Sequence, residues 1–247
     1  MSRSFLYIHV PKCGGTSFGA ALRLAYWPSQ ATIDIDRTRR LAQALAPEAT
    51  GTELILADYA QRRVELAQML DRRVRCISAH VRFSDTVLST LDPARACVTL
   101  LRDPVARFLS HYAYVQRHHP DPSRAGTLDA FLGTEAAQRF GSQYLFYFAE
   151  TYQHHSADVA GDTQRACRAL ERFSLVGFLE EGAAFRRALQ RLAGRPLVPL
   201  SRNRRPDPAP ELPAALRARV EAVCAPDLDI YHHIRSAATA GFYQGGV

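Results

Sequence analysis

The chain has 247 residues, of which 47% are hydrophobic and 22% are charged, a balance that indicates a globular protein and excludes a disordered one. The formal net charge of +7 suits a polyanionic partner, such as nucleic acid, an anionic lipid or glycan, or a phosphate-rich small ligand. The coding habit of an arginine-rich genome would also produce such a charge. No apolar stretch approaches about 18 residues, so we predict no transmembrane segment, and the short apolar run near the N-terminus does not fit a signal peptide.

The five cysteines are scattered along the chain and show no C-x-x-C spacing. This pattern argues against a disulfide framework and against a zinc site, so we expect no bound metal. Cys76 and Cys97 lie within apolar runs and are predicted to be buried. A reducing, cytoplasmic location fits this cysteine usage best.

The first half of the chain alternates apolar runs with helical patterns. Residues 5–10, FLYIHV, predict a short buried strand, and the helical period that follows a Gly-Gly turn has Thr16 or Ser17 in position to serve as N-cap. Amphipathic helices are predicted on either side of a possible short strand, ELILA, at 53–57. Two further apolar strands are predicted at 74–81 and 95–101.

The second half is mostly helical, with one short strand, SLVGF, at 174–178. A helix follows the strand at 95–101, with Pro104 in its first turn. The proline- and arginine-rich stretch 196–213 is predicted to be a loop. Strands that alternate with helices predict an α/β fold, in which one domain, residues 1–247, has a central parallel β-sheet flanked by helices.

The loop after the first strand contains the only lysine of the chain, Lys12, whereas the other 30 basic residues are arginine. Gly14 and Gly15 would let the backbone approach a ligand closely, and the hydroxyls of Thr16 and Ser17 would add donors. A glycine turn between a strand and a helix binds phosphate through backbone N–H groups and the helix N-terminus. The order differs from the nucleotide P-loop, in which lysine follows the glycines, and an exposed lysine in an ordinary turn is the alternative.

The order Pro-Lys-x-Gly-Gly-Thr-Ser directly after the first strand resembles the 5′-phosphosulfate loop of sulfotransferases that use 3′-phosphoadenosine-5′-phosphosulfate (PAPS). The resemblance implies that PAPS is the co-substrate. It also implies that the P-loop-like segment after the first strand binds the phosphosulfate through the following residues: Lys12, Cys13, Gly14, Gly15, Thr16 and Ser17.

The same family carries an arginine at the end of a later strand and a serine eight residues on. Arg102 and Ser110 in RDPVARFLS match this pattern, and the resemblance implies that they bind the 3′-phosphate of the donor. A phosphate needs several donors, and a charge-assisted bond from arginine together with a hydroxyl on the next helix would supply them.

A strand also ends at His80, within CISAHVRF. The segment resembles the Gly-His-Val stretch of heparan uronosyl 2-O-sulfotransferases, with Ala79 in place of the glycine, and this resemblance implies that His80 is the catalytic base. A structural histidine at a strand end is the alternative. The other paired histidines match no motif and are interpreted as surface residues.

Two C-terminal segments complete the resemblance. Residues 174–192 are similar to the family's Val-Gly-x-x-Glu junction, and Asp227 or Asp229 before Tyr231 is similar to its Asp-x-x-x-Tyr helix. The basic loop between them resembles the family's nucleotide lid, for which the candidates are Arg202, Asn203, Arg204 and Arg205. Segments 28–72 and 117–160 carry no signature and would form the acceptor-binding walls.

The leading hypothesis is therefore a PAPS-dependent sulfotransferase in which Lys12 stabilises the leaving phosphate and His80 takes the proton of an acceptor hydroxyl. The acceptor is predicted to be a glycan, a lipid or a small metabolite, and no specific nucleic-acid partner is expected. A P-loop-type nucleotide phosphotransferase and a non-enzymatic polyanion-binding protein are the alternatives. The sequence leaves the oligomeric state open.

Overall fold

The structure is a computed structural model that describes residues 3–83, 87, 91–118, 126–198 and 212–245. One six-stranded sheet has the order β2-β3-β1-β4-β5-β6, in which the first five strands are parallel and β6 is antiparallel to β5. The strands are β1 (Phe5–Ile8), β2 (Gln30–Ala31), β3 (Cys76–Ala79), β4 (Ala96–Leu101), β5 (Leu175–Phe178) and β6 (Phe242–Tyr243). The prediction of an α/β fold with a central, mostly parallel sheet is confirmed.

Helices cover both faces of the sheet. In chain order they are α1 (Gly15–Ala25), α2 (Ile35–Leu45), α3 (Gly51–Asp71), α4 (Pro104–His118), α5 (Leu128–Phe131), α6 (Glu135–Gly141), α7 (Gln143–Ala149), α8 (Val159–Glu171), α9 (Gly182–Ala193), α10 (Ala214–Val223) and α11 (Ala225–Ser236). Two short 3₁₀ helices span Gln153–His155 and Leu179–Glu181. Among the described residues, no helix is both long and apolar enough to cross a bilayer.

The two faces of the sheet pack into different apolar layers because successive strand side chains point to opposite sides. Phe5 and Tyr7 of β1 pack with α1 and α9 in one layer, whereas Leu6 and Ile8 pack with α7, α8 and α11 in the other. All five cysteines are buried free thiols, so the predicted burial of Cys76 and Cys97 is confirmed.

The strand predicted at ELILA is wrong, because these residues lie inside α3. The buried residues of this helix include Asp58, Arg62 and Leu66, which recur every four positions and therefore form one helical face. A five-residue apolar run cannot distinguish a strand from a buried helical segment. Helix α3 packs against α2 and, through Leu66, against the apolar layer that contains Leu6 and Ile8. This packing stabilises the segment as a helix.

The strand order places β1 between β3 and β4. The chain therefore runs from β1 to one side of the sheet and later returns to β4 on the other side. In open α/β sheets, ligands bind in the crevice at the carboxyl ends of the strands where such a reversal occurs. The loops after β1, β3 and β4 share this edge.

Candidate active site

The loop after β1 turns sharply through two left-handed residues, Lys12 with φ 66° and Gly14 with φ 72°. Gly14 is the N-cap of α1, which begins at Gly15. The predicted N-cap at Thr16 or Ser17 is therefore wrong, since both hydroxyls lie within the first turn. Gly14 has no side chain that could bond the first N–H groups of α1, and groups in this position bind anions well.

Close packing explains why the loop carries two adjacent glycines. A Cβ placed on Gly14 would come within 2.6 Å of Leu179 Cδ1, and one on Gly15 would come within 2.3 Å of His9 Cδ2. Real Cβ atoms do not approach neighbours so closely. The backbone of the loop consequently lies directly against the ends of the strands, which forms a cradle suited to a phosphate or sulfate group.

Lys12 and Arg102 meet at this edge of the sheet. Arg102 is the first residue after β4, and its Nη1 donates a hydrogen bond to the Lys12 carbonyl over 3.2 Å. The Lys12 ammonium lies 4.1 Å from the centroid of the Tyr114 ring on α4, one turn beyond Ser110. The predicted residues Lys12 and Arg102 are thus brought together, and Tyr114, which the sequence analysis did not identify, joins them from the helix that carries Ser110.

Tyr144 ties the two loops to each other, although no sequence motif identified it. Its hydroxyl accepts a hydrogen bond from the Arg102 N–H at 2.8 Å and donates one to the Arg102 carbonyl. The same oxygen lies 3.5 Å from Cys13 Sγ. Burial raises the pKa of Cys13 to about 11, so the thiol is neutral and serves packing. Its predicted contact with the donor would therefore come from the backbone.

A buried ion pair holds the start of α7, the helix that carries Tyr144. Arg107 Nη2 lies 3.5 Å from Asp227 Oδ2, and both side chains are fully buried. Asp227 also accepts hydrogen bonds from the N–H groups of Tyr144 and Leu145. Burial raises the pKa of Asp227 to about 6, against the opposing effect of Arg107. The structure therefore identifies Asp227, and not Asp229, as the buried aspartate before Tyr231.

Glu180, the glutamate of the Val-Gly-x-x-Glu segment, joins the strand ends to the C-terminal helix. Its Oε1 accepts the Asp103 N–H at 2.8 Å, and its Oε2 accepts the Tyr231 hydroxyl at 3.1 Å. Asp103 in turn accepts the Ala106 N–H and so caps the start of α4. Motif residues that are far apart in the chain thus form one hydrogen-bonded unit.

His80 lies directly after β3, on the other side of β1 from Arg102. Its ring stacks on the His9 ring with centroids 4.1 Å apart, and its carbonyl accepts a bond from Arg62 Nη1 at 3.2 Å. Burial, with a smaller effect of Arg62, lowers the pKa of His80 to about 4. A neutral imidazole can accept a proton, which is the state that a general base requires.

His111 is a second buried histidine near the loop, and the sequence analysis missed it. Its ring stacks on Phe140 at 3.8 Å. Burial lowers its pKa to about 3, with further contributions from the charges of Arg107 and Lys12. Only its position next to Ser110 could have identified it, because it matches no motif.

Other predictions lie elsewhere or outside the described residues. Arg202, Asn203, Arg204 and Arg205, the candidates for the lid, fall outside the ranges that the structure describes.

The predicted surface histidines His154 and His155 group with Glu135, with potential ligand atoms within 4.8 Å of one another. Arg139 already pairs with Glu135 at 2.7 Å, which makes this group a poor metal site.

Comparison with known proteins gives a consistent picture. The family model of galactose-3-O-sulfotransferase matches residues 35–242. Galactose-3-O-sulfotransferase 3 from Homo sapiens and from Bos taurus are each 32% identical over 96 residues, or 37% of this chain and 22% of the relative's length. The chain thus aligns with less than a quarter of these relatives.

Among solved structures, a sulfotransferase from Alicyclobacillus acidocaldarius has a similar fold. It covers 94% of this chain and 96% of its own, with a TM-score of 0.51 and 18% identity. The family match begins after the loop that carries Lys12, so the assignment of that loop depends on its own sequence and geometry.

Proposed function

Because the chain belongs to the galactose-3-O-sulfotransferase family, we propose that it transfers a sulfuryl group from PAPS to the hydroxyl of an acceptor. The observation that carries the proposal is the contact of Arg102 with the Lys12 carbonyl at the reversal point of the sheet. This contact joins the loop suited to a phosphosulfate with the arginine suited to a 3′-phosphate.

The donor would be bound by the loop and by α4. The glycine cradle, the N-terminus of α1 and Lys12 fit the phosphosulfate, and Arg102 with Ser110 fits the 3′-phosphate. We keep the arginines 202, 204 and 205 as candidates for a lid over the nucleotide. The donor supplies the activated sulfuryl group, and the chain supplies binding, orientation and charge.

In the proposed reaction, the acceptor oxygen attacks sulfur and forms the new S–O bond while the bond from sulfur to the bridging phosphate oxygen breaks. His80 takes the acceptor proton, because its imidazole is neutral and has a nitrogen lone pair that can accept it. Lys12 stabilises the negative charge that develops on the leaving adenosine 3′,5′-bisphosphate. These steps account for the bond formed, the bond broken and the proton, and they require no metal.

The acceptor is proposed to be a glycan hydroxyl. The names of the matched relatives favour a galactoside over the uronosyl glycans suggested by the His80 segment, and lipids and small metabolites are further candidates. Segments 28–72 and 117–160 are kept as the acceptor walls. Arg62 of α3 reaches the His80 carbonyl, Arg139 of α6 donates to Thr52 of α3, and neither segment carries a donor motif.

The proposal is tested by incubating the protein with PAPS and a panel that contains a galactoside, a uronate-containing glycan, a lipid alcohol and a nitrophenol. Mass spectrometry would detect the sulfated product and equimolar adenosine 3′,5′-bisphosphate. ATP in place of PAPS is the control for phosphoryl transfer. Transfer from ATP alone would establish the phosphotransferase alternative. Salt-dependent polyanion binding without any transfer would establish the non-enzymatic one.

A further inference from the structure

A second histidine, His9, lies between the loop after β1 and His80. Strands β1 and β3 pair in parallel with Ile8 opposite Ala79, so the next residue of each strand, His9 and His80, continues the same register. The His9 N–H donates to the Ala79 carbonyl over 2.8 Å, which holds the two chain segments together directly before His80. The two rings then stack 4.1 Å apart at an interplanar angle of 26°.

The Cδ2–Nε2 edge of the His9 ring faces the loop after β1. A Cβ on Gly15 would come within 2.3 Å of His9 Cδ2 and 2.6 Å of His9 Nε2, so the ring occupies the space beside this glycine. On the strand side, the Tyr7 ring is nearly parallel to His9 with centroids 6.0 Å apart. His9 is therefore confined between Gly15, Tyr7 and His80.

We propose that His9 is a positioning residue that sets the orientation of the His80 ring relative to the loop after β1. The inference rests on the proposed function, in which that loop binds the donor and His80 contacts the acceptor. Any rotation of His9 would move it into Gly15 or away from His80, because its ring contacts both. One side chain in this way sets the spacing between Gly15 of the loop and the His80 ring.

The charges around the pair favour neutral rings. The charged groups near it are Arg23 from α1 and Arg62 from α3, whereas the phenol of Tyr7 from β1 is neutral because burial raises its pKa. Burial lowers the pKa of His9 well below its usual range, and His80 and Arg23 lower it further. A neutral His9 covers one face of His80 and excludes water without adding a charge beside the base.

The test compares His9→Ala with His9→Phe, because phenylalanine keeps a flat ring in the same place and cannot titrate. NMR titration of the His80 ring protons, without any donor, reports the effect on His80 directly. We expect the pKa of His80 to rise towards 6.5 in His9→Ala, since water reaches the ring, and to stay low in His9→Phe. His155→Phe, an exposed histidine far along the chain, is the control.

Turnover gives the second readout. We expect kcat for an alcohol acceptor to fall by roughly 10–100-fold in His9→Ala, because a small misplacement of a reacting group has a large effect on rate. His9→Phe should recover kcat to within about threefold, with the donor Kd unchanged in both. Thermal unfolding checks that the variants are folded, and His9→Gln replaces His9→Ala if the alanine variant is not.

Two results would overturn the inference: a His80 pKa in His9→Ala equal to that of the wild type, or a folded His9→Phe variant as slow as His9→Ala. The titration needs no turnover, so it remains decisive if the wild-type protein transfers no sulfuryl group. In that case the proposed function would fail, and the positioning of His80 by His9 would still be measured.

Discussion

The two sides of the candidate active site hold their reactive side chains in different ways. On the proposed donor side, backbone geometry places Lys12: two left-handed residues, close glycine packing and a carbonyl bonded by Arg102. On the proposed acceptor side, side chains from other elements place His80: the His9 ring, directly after β1, stacks on its ring, and the guanidinium of Arg62 on α3 bonds its carbonyl.

The difference determines what each side requires of the sequence. A loop built from backbone geometry needs particular residues at adjacent positions, since glycine alone fits both the left-handed turn and the close approach. A residue held by side chains from other elements can be supported by any element that reaches it. Arg62, for example, is itself oriented by Asp58, whose other oxygen accepts the Thr38 hydroxyl at 2.6 Å.

Replacing His80 should give the largest difference between an effect on the acceptor and an effect on the donor. His80→Ala should slow transfer to an alcohol by roughly 10²–10⁴, the usual contribution of a general base, and slow transfer to an acidic nitrophenol far less. Donor affinity should be nearly unchanged. Steady-state kinetics with both acceptors measures the effect, with the exposed His232→Ala as control. Equal losses for the two acceptors would exclude His80 as the base.

Lys12→Ala should slow transfer to every acceptor alike, by roughly 10²–10³, because the proposed role of the lysine is to stabilise the leaving group. Lys12→Arg should not restore the full rate, since the planar guanidinium places its donors differently. The measurement is kcat on the same two acceptors, beside Arg117→Ala, an exposed arginine on α4. A loss of kcat confined to one acceptor would indicate that Lys12 acts on the acceptor and not on the leaving group.

Arg102→Ala and Ser110→Ala should weaken donor binding without a large effect on the acceptor. A charged hydrogen bond contributes about 1.5–3 kcal/mol and a neutral one about 1 kcal/mol, so Arg102 should matter more. Calorimetry would compare adenosine 3′,5′-bisphosphate with adenosine 5′-phosphate. If Arg102→Ala discriminates between the two nucleotides as well as the wild type, Arg102 does not bind the 3′-phosphate.

The smallest expected effect is that of pH on the free energy of unfolding. It involves one histidine from each side of the site, His80 and His111. Their folded pKa values, about 4 and about 3, lie below the value of 6.5 in an unfolded chain. The unfolded state therefore binds more protons between pH 6.5 and about 4, and the free energy of unfolding falls as the pH falls through this window.

Each of these histidines should remove about 1 kcal/mol of stability between pH 7 and pH 5.5. His111→Phe should lose less stability than the wild type over this interval, since it lacks one of the groups. Urea unfolding at both pH values measures the difference. Identical losses in the two proteins would show that the pKa of His111 is not lowered in the folded state.

The sequence by itself determined the sheet type, the glycine turn after β1 and the selection of Lys12 and Arg102 as candidates for one site. These features depend on local rules: apolar runs form buried strands, and adjacent glycines permit a turn against packed strands. Motif residues spaced along one strand and one helix, such as Arg102 and Ser110, could also be recognised. The family match confirms the predicted sulfotransferase family, whereas the roles of these residues stay predictions.

Tertiary structure alone decided the contacts between distant segments. ELILA became helical through the packing of α3, and α1 began at Gly15 because Gly14 adopts a left-handed conformation next to Leu179. Tyr144, His111 and the His9–His80 stack left no sequence signal, since their contacts join residues that are far apart in the chain or lie on neighbouring strands. Such side-chain contacts depend on which elements pack together, and that is a property of the folded chain.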